Sequence, residues 1–164
     1  MTTNQKALPA TSIFIDHAGV LICGPSGSGK STLALNLIEK VATLISDDVT
    51  LLTARDGVLY ADPFPKMKGC IELRNIGILT KQPYFENKPV RCIINLTRDP
   101  VERLPQPKYQ EILGVKVRQF DLNPNDPALI LKSLKAIDVA VGREKLLSDL
   151  NVIQQKYIQN GLEK

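Results

Sequence analysis

Tryptophan is absent from this chain, histidine occurs once and cysteine three times, and aromatic residues of all kinds make up 5% of its 164 residues. Each shortage excludes something. Cys23, Cys70 and Cys92 are an odd set with no C-x-x-C pair, so neither a disulfide framework nor a cysteine-rich zinc site is expected. A reducing cytoplasm suits that usage. No apolar run approaches the roughly 20 residues of a membrane-spanning helix. The opening stretch, MTTNQKALPATS, is polar and lacks the apolar core of a signal peptide. A soluble protein with no membrane partner is expected. Runs of five or six like charges are also missing, so the net charge of +4 is dispersed. Such a balance suits a phosphorylated ligand as readily as a polyanion, and no nucleic-acid partner is expected.

What is present is the material of one compact domain, residues 1–164, with 43% hydrophobic residues and neither repeats nor low-complexity segments. Residues 11–16 and 19–23 read as strands joined by a turn around His17, and residues 30–40 as a helix with Leu33, Leu37 and Ile38 on one face. A short apolar strand, residues 43–46, ends in Asp47 and Asp48. Residues 49–54 and 58–61 flank Arg55-Asp56-Gly57, a hairpin signal. Further strands are predicted over residues 70–74, 77–80, 91–96 and 115–122. A helix over residues 128–140 would take Asp126 as its N-cap and Pro127 as its first residue. A last helix over residues 143–159 would carry Leu146, Leu150, Ile153 and Tyr157 on one stripe. The pattern is α/β, and its hairpins imply a mixed sheet.

Gly24-Pro25-Ser26-Gly27-Ser28-Gly29-Lys30-Ser31 fits G-x-x-x-x-G-K-[ST] in full and lies between a predicted strand and a predicted helix, as a phosphate-binding loop requires. Its glycines let successive backbone N–H groups converge on phosphate oxygens at a helix N-terminus. Lys30 can reach the outer phosphates, and the Ser31 hydroxyl is suited to ligate Mg2+. Asp47 and Asp48 follow only seventeen residues after Lys30, so the intervening helix must turn straight back and deliver them to the loop. One carboxylate could then take a proton from an attacking hydroxyl while the other orients it or steadies the metal.

These residues resemble the catalytic domain of the HPr kinase/phosphorylase family, in the short form that lacks an N-terminal domain. The strand and loop Gly19-Val20-Leu21-Ile22-Cys23 into Gly24, the strand Leu44-Ile45-Ser46 ending in Asp47-Asp48, and Gly69-Cys70-Ile71-Glu72-Leu73-Arg74-Asn75-Ile76-Gly77-Ile78 all match its pattern. Val101-Glu102-Arg103-Leu104-Pro105 and Leu113-Gly114-Val115 are similar to its later Arg-containing segment. The resemblance implies a P-loop domain of the phosphoenolpyruvate carboxykinase-like type with a mixed sheet. It implies ATP and Mg2+ as cofactors, Gly24 to Lys30 as the phosphate cradle, and Ser31 and Glu72 as metal ligands. Asp47 would be the proton-transfer carboxylate with Asp48 beside it, and Arg103 would stabilise charge on the transferring phosphoryl group.

The activity so implied is phosphorylation of a serine on the phosphocarrier protein HPr or an HPr-like carrier, with phosphorolysis by inorganic phosphate giving pyrophosphate. A homo-oligomer is suggested by the same resemblance. The chain departs from the pattern at Pro9, where the family usually carries His, and at Asn75, where it usually carries Gly. Asn tolerates a left-handed backbone, so the bend at residue 75 is expected to survive. Two other readings stay open at this point: a nucleotide- or phosphate-sensing module without transfer, and a small-molecule P-loop kinase with the Pro-rich residues 100–107 as its lid.

Overall fold

The computed structural model describes residues 4–148, which form eleven strands and two α-helices. In chain order they are β1 (Gln5–Leu8), β2 (Thr11–Ile15), β3 (Ala18–Cys23), α1 (Lys30–Ile38), β4 (Thr43–Ser46), β5 (Thr50–Arg55) and β6 (Val58–Pro63). A short 3-10 turn, Pro65–Met67, leads to β7 (Ile71–Leu73), β8 (Gly77–Leu79), β9 (Lys88–Leu96), β10 (Lys108–Ile112), β11 (Val115–Leu122) and α2 (Leu129–Ala140).

Strands β3 and β9 form the middle of the sheet. They run parallel, Leu21 opposite Ile93 and Ile22 opposite Ile94, and β11 lies parallel to β9 on the other side. Antiparallel β2 and then β4 extend the layer beyond β3, and β10 extends it beyond β11. At its start β9 pairs instead with β6, through Lys88 and Pro89, and β6 continues into β5 and β1. The sheet is therefore mixed, as expected, and branches at β9. Strands β7 and β8 form a separate hairpin.

Both faces of the central strands are apolar because both are covered. Val20 and Ile22 of β3, with Cys92, Ile94 and Leu96 of β9, pack against Leu33, Ala34 and Leu37 of α1 and Ile137 of α2. Leu21 and Ile93, on the opposite face, meet Leu52, Leu59 and Ala61 of the β5–β6 hairpin. Each buried Val, Leu or Ile side chain among them contributes about 1.5–3 kcal/mol, which fixes β3 and hence the point at which the loop after it begins.

The Asp56-Gly57 turn forms as predicted, with φ of 50° and 76° between the paired residues Arg55 and Val58. The same two-residue geometry recurs at Asp16-His17 and Leu113-Gly114. Asn75, with φ of 69°, keeps the left-handed bend between β7 and β8.

Three features differ from expectation. Strands β1 and β10 were not predicted, because both are short, polar and largely exposed edge strands without apolar alternation. Helix α2 is capped by Ala128 and starts at Leu129. Asp126 acts one turn earlier, its carboxylate accepting the Ala128 N–H at 2.8 Å and its carbonyl accepting the Leu129 N–H. Residues 143–146 are non-helical, and Arg143 is drawn instead into an ion pair with Asp16 at 2.8 Å. Leu150, Ile153 and Tyr157 of the predicted last helix lie outside the described residues. Among the described residues no helix is long and apolar enough to cross a membrane.

Candidate active site

The site begins where β3 stops. At Gly24 the backbone turns with φ of 148°, and a Cβ there would stand 2.7 Å from the Ser28 hydroxyl and 2.8 Å from the Leu96 carbonyl. Only glycine fits a gap that tight. Gly27 and Gly29 take left-handed conformations, with φ of 77° and 100°, and Gly29 caps α1 without a side-chain hydrogen bond. The first-turn N–H groups of α1 thus keep their donors for an anion, reinforced by the positive end of the helix. Lys30 folds back over the loop, its Nζ donating to the Gly24 carbonyl at 2.8 Å and the Pro25 carbonyl at 3.3 Å. Ser28 is 3% exposed and its hydroxyl has no hydrogen-bond partner, a rare condition for a buried polar atom and one that a phosphate oxygen would relieve.

Asp47, expected near the loop, is there and is buried, with 3% exposure. Three donors hold its carboxylate. Ser31 Oγ donates to Oδ1 at 2.7 Å, Thr11 Oγ1 donates to the same oxygen at 2.9 Å, and the Glu72 N–H donates to Oδ2 at 2.9 Å. The first ties the loop's last residue to the end of β4, the second ties in the start of β2, and the third ties in β7. Asp48 is exposed, adopts φ of 64°, and its N–H donates to Thr11 Oγ1 at 3.2 Å. Its own carboxylate makes no hydrogen bond or ion pair with the described residues, so it stands free beside a carboxylate that is fully engaged.

The other expected residues are placed less uniformly. Glu72 brings its backbone to the site, while its side chain is exposed. Arg103 lies in the exposed connection of residues 97–107, which leaves β9 at Leu96, beside Gly24. No hydrogen bond or ion pair joins it to the described residues. Arg74 reaches the loop: its guanidinium lies 3.2 Å from where a Cβ on Gly27 would be, and it forms no ion pair with Glu72. Thr11 and Arg74 are the site residues that sequence reasoning missed. Arg74 stood within the quoted motif without an assigned role; Thr11 gave no signal, being one hydroxyl in a polar stretch. At the threshold of the loop, burial pushes the Cys23 thiol up to about 11, the nearby Lys30 ammonium opposing only in part, which disfavours the thiolate a nucleophile needs.

A phosphate loop implies a polyphosphate and Mg2+, and the residues present fit both. Among the described residues no cluster of three or more His, Cys, Asp and Glu forms a metal cage. Magnesium does not ask for one, since it binds through one or two protein oxygens with water and phosphate completing its octahedron. Ser31 meets that need. Its proton is committed to Asp47, which leaves its oxygen lone pairs for a cation. The family model for the HPr Serine kinase C-terminal domain matches residues 2–149.

The chain belongs to that family. Relatives named HPr kinase/phosphorylase include one from Bordetella petrii, 36% identical over 135 residues that cover 72% of this chain and 44% of the relative. Another, from Clostridium perfringens, is 27% identical over 98% of this chain and 58% of its own length. The chain thus spans about half the length of the relatives it matches. Among solved structures, the Hpr(Ser) kinase/phosphatase of Coxiella burnetii superposes with a TM-score of 0.72 at 26% identity, over 80% of this chain and 93% of the other. The HPr kinase fold, a P-loop domain of the phosphoenolpyruvate carboxykinase-like type, is the one observed.

Proposed function

We propose that this chain is the phosphotransfer domain of an ATP- and Mg2+-dependent serine protein kinase whose acceptor is HPr or an HPr-like phosphocarrier, working in the reducing cytoplasm. The observation that carries the reading is the pairing, at the loop, of a locked aspartate with a free one. A sensor needs no second carboxylate there, whereas transfer to a hydroxyl needs a group to receive its proton. In the forward reaction the acceptor serine oxygen forms a bond to the γ-phosphorus and the bond from that phosphorus to the β–γ bridging oxygen breaks, releasing ADP. In reverse, inorganic phosphate attacks phosphoserine and releases pyrophosphate and free serine, so one proton-transfer group serves both directions.

The geometry favours a division of labour opposite to that implied by the resemblance. Asp47, with three donors on its two oxygens, orients the Ser31 hydroxyl. Asp48, exposed and unengaged, takes the acceptor proton. Magnesium, when bound by Ser31 with Glu72 and Asp47 near it, would offset phosphate charge. The glycine loop and Lys30 hold the phosphates, and Arg74 and Arg103 supply guanidinium charge from the two segments flanking the loop.

The test is transfer of label from γ-labelled ATP to an HPr-type carrier. Label on the carrier beyond one equivalent per protein, lost in Asp48→Asn, is the expected result. Tight MgATP binding with no label on the carrier would overturn the proposal in favour of a nucleotide sensor.

A further inference from the structure

Thr11 is fully buried, so it touches neither nucleotide nor acceptor, yet it is the residue through which both aspartates are joined. Its position is fixed by pairing with Ile22, two residues before Gly24. A hydroxyl has one proton and two lone pairs. Since the Asp48 N–H can only donate, it must use a lone pair of Thr11 Oγ1, and the single Thr11 proton then goes to Asp47 Oδ1. The two bonds are directional and cannot be exchanged.

Their consequences differ. Towards Asp47, the Thr11 proton joins that of Ser31 on Oδ1, so the carboxylate plane is held from β2 as well as from α1 and β7. Towards Asp48, the bond satisfies the N–H of a non-glycine residue in a left-handed conformation, one that Asp tolerates better than most L-residues and that the bond helps to hold. The bend falls directly after β4, and Asp48 is exposed there next to the buried Asp47.

We propose that Thr11 is a positioning residue that sets the geometry of both aspartates, through its proton for Asp47 and its lone pair for Asp48. Its catalytic consequence rests on the kinase reading above; its structural consequence does not.

The experiment compares Thr11→Val, which keeps the volume and removes both bonds, with Thr11→Ser, which restores them. In the nucleotide-free protein, Thr11→Val speeds hydrogen exchange at the Asp48 amide by about tenfold or more, as expected on losing one hydrogen bond, while the Ile45 amide within β4 is unchanged. With MgATP and carrier, it lowers kcat by about tenfold or more with KM for ATP moved less than about threefold, because only an interaction that matters in the transition state is lost. Thr11→Ser returns both readouts to within about threefold of the parent. If Thr11→Val does not fold, Thr11→Ala makes the same comparison. Unchanged exchange at Asp48, or a serine variant as impaired as the valine one, overturns the proposal. A parent protein that transfers nothing while the exchange pattern holds overturns the kinase reading and supports the positioning role.

Discussion

The two ends of the central strands are built on different terms. At the end where β3 and β9 finish, polar groups are buried: Thr11, Ser12, Ser28, Ser46, Asp47 and Thr50 gather there, six of the eight buried polar residues described. All but Ser28 are hydrogen-bonded to one another or to nearby backbone. Ser12 bonds to Thr50 at 2.8 Å, Thr50 donates to the Ala10 carbonyl at 2.9 Å, and Ser46 donates to the Val49 carbonyl at 2.6 Å. At the end where they begin, chain reversal is left to Asp16-His17, Leu113-Gly114 and the nearby Asp56-Gly57, whose geometry needs only local backbone freedom. Burying a polar group without a partner is costly, so a cluster of satisfied ones at one end marks where the fold has been constrained for something other than stability.

The sharpest way to break this comparison is to add one methyl group at each end. Gly24→Ala meets Ser28 and the Leu96 carbonyl below 3 Å in a positive-φ position, and a loss of about 3–5 kcal/mol with abolished MgATP binding is expected. Gly57→Ala meets nothing within 4 Å, so only the left-handed backbone cost of about 1–2 kcal/mol applies, with nucleotide affinity intact. Urea unfolding and nucleotide titration of both variants read the contrast. Equal losses at the two positions would remove it.

Replacing one carboxylate at each end comes next in size. In Asp47→Asn an amide must meet three donors with one oxygen, so its NH2 faces either the Glu72 N–H or the Thr11 and Ser31 hydroxyls. A loss of about 1–3 kcal/mol is expected from one unsatisfied buried group. Asp16→Asn at the other end removes an ion pair with Arg143 between half-exposed side chains, worth about 0–1 kcal/mol. Denaturant midpoints measured side by side decide whether burial, rather than charge, separates the two ends.

This contrast also explains what could be read from sequence. The loop of Gly24 to Ser31 was legible because its conformation demands particular residues in consecutive positions. The Asp56-Gly57 hairpin was legible for the same reason, as was the tolerance of Asn75 for its left-handed bend. The buried strands followed from apolar runs. Thr11 was not legible, because its importance lies in the 36-residue separation from Asp47 and not in anything adjacent to it. The different duties of Asp47 and Asp48 were hidden likewise. Side by side in sequence they look equivalent, and only in the fold is one buried and the other open to solvent. Edge strands β1 and β10 escaped because partner strands, not their own composition, hold them extended.

The smallest effect concerns Asp121, which closes the base of the connection carrying Arg103. Asn95, before that connection, donates to Asp121 Oδ1 at 3.0 Å; Lys108, after it, donates to Oδ2 at 2.8 Å, and Gln119 adds a third bond at 2.8 Å. Partial burial alone would raise the Asp121 pKa, but the bonds from Lys108, Gln119 and Asn95 outweigh it and hold the carboxyl below its ordinary value. A depressed folded-state pKa adds stability above the unfolded value of about 3.9 and surrenders it as pH falls through the folded one. The stability difference between the parent and Asp121→Asn should therefore be constant from neutral pH down to about 5, below about 1 kcal/mol in size, and shrink under about pH 4. Urea titrations across that range measure it. A difference that grows in acid would mean that the carboxylate is strained by its three donors rather than stabilised by them, and that the connection bearing Arg103 is held by something other than Asp121.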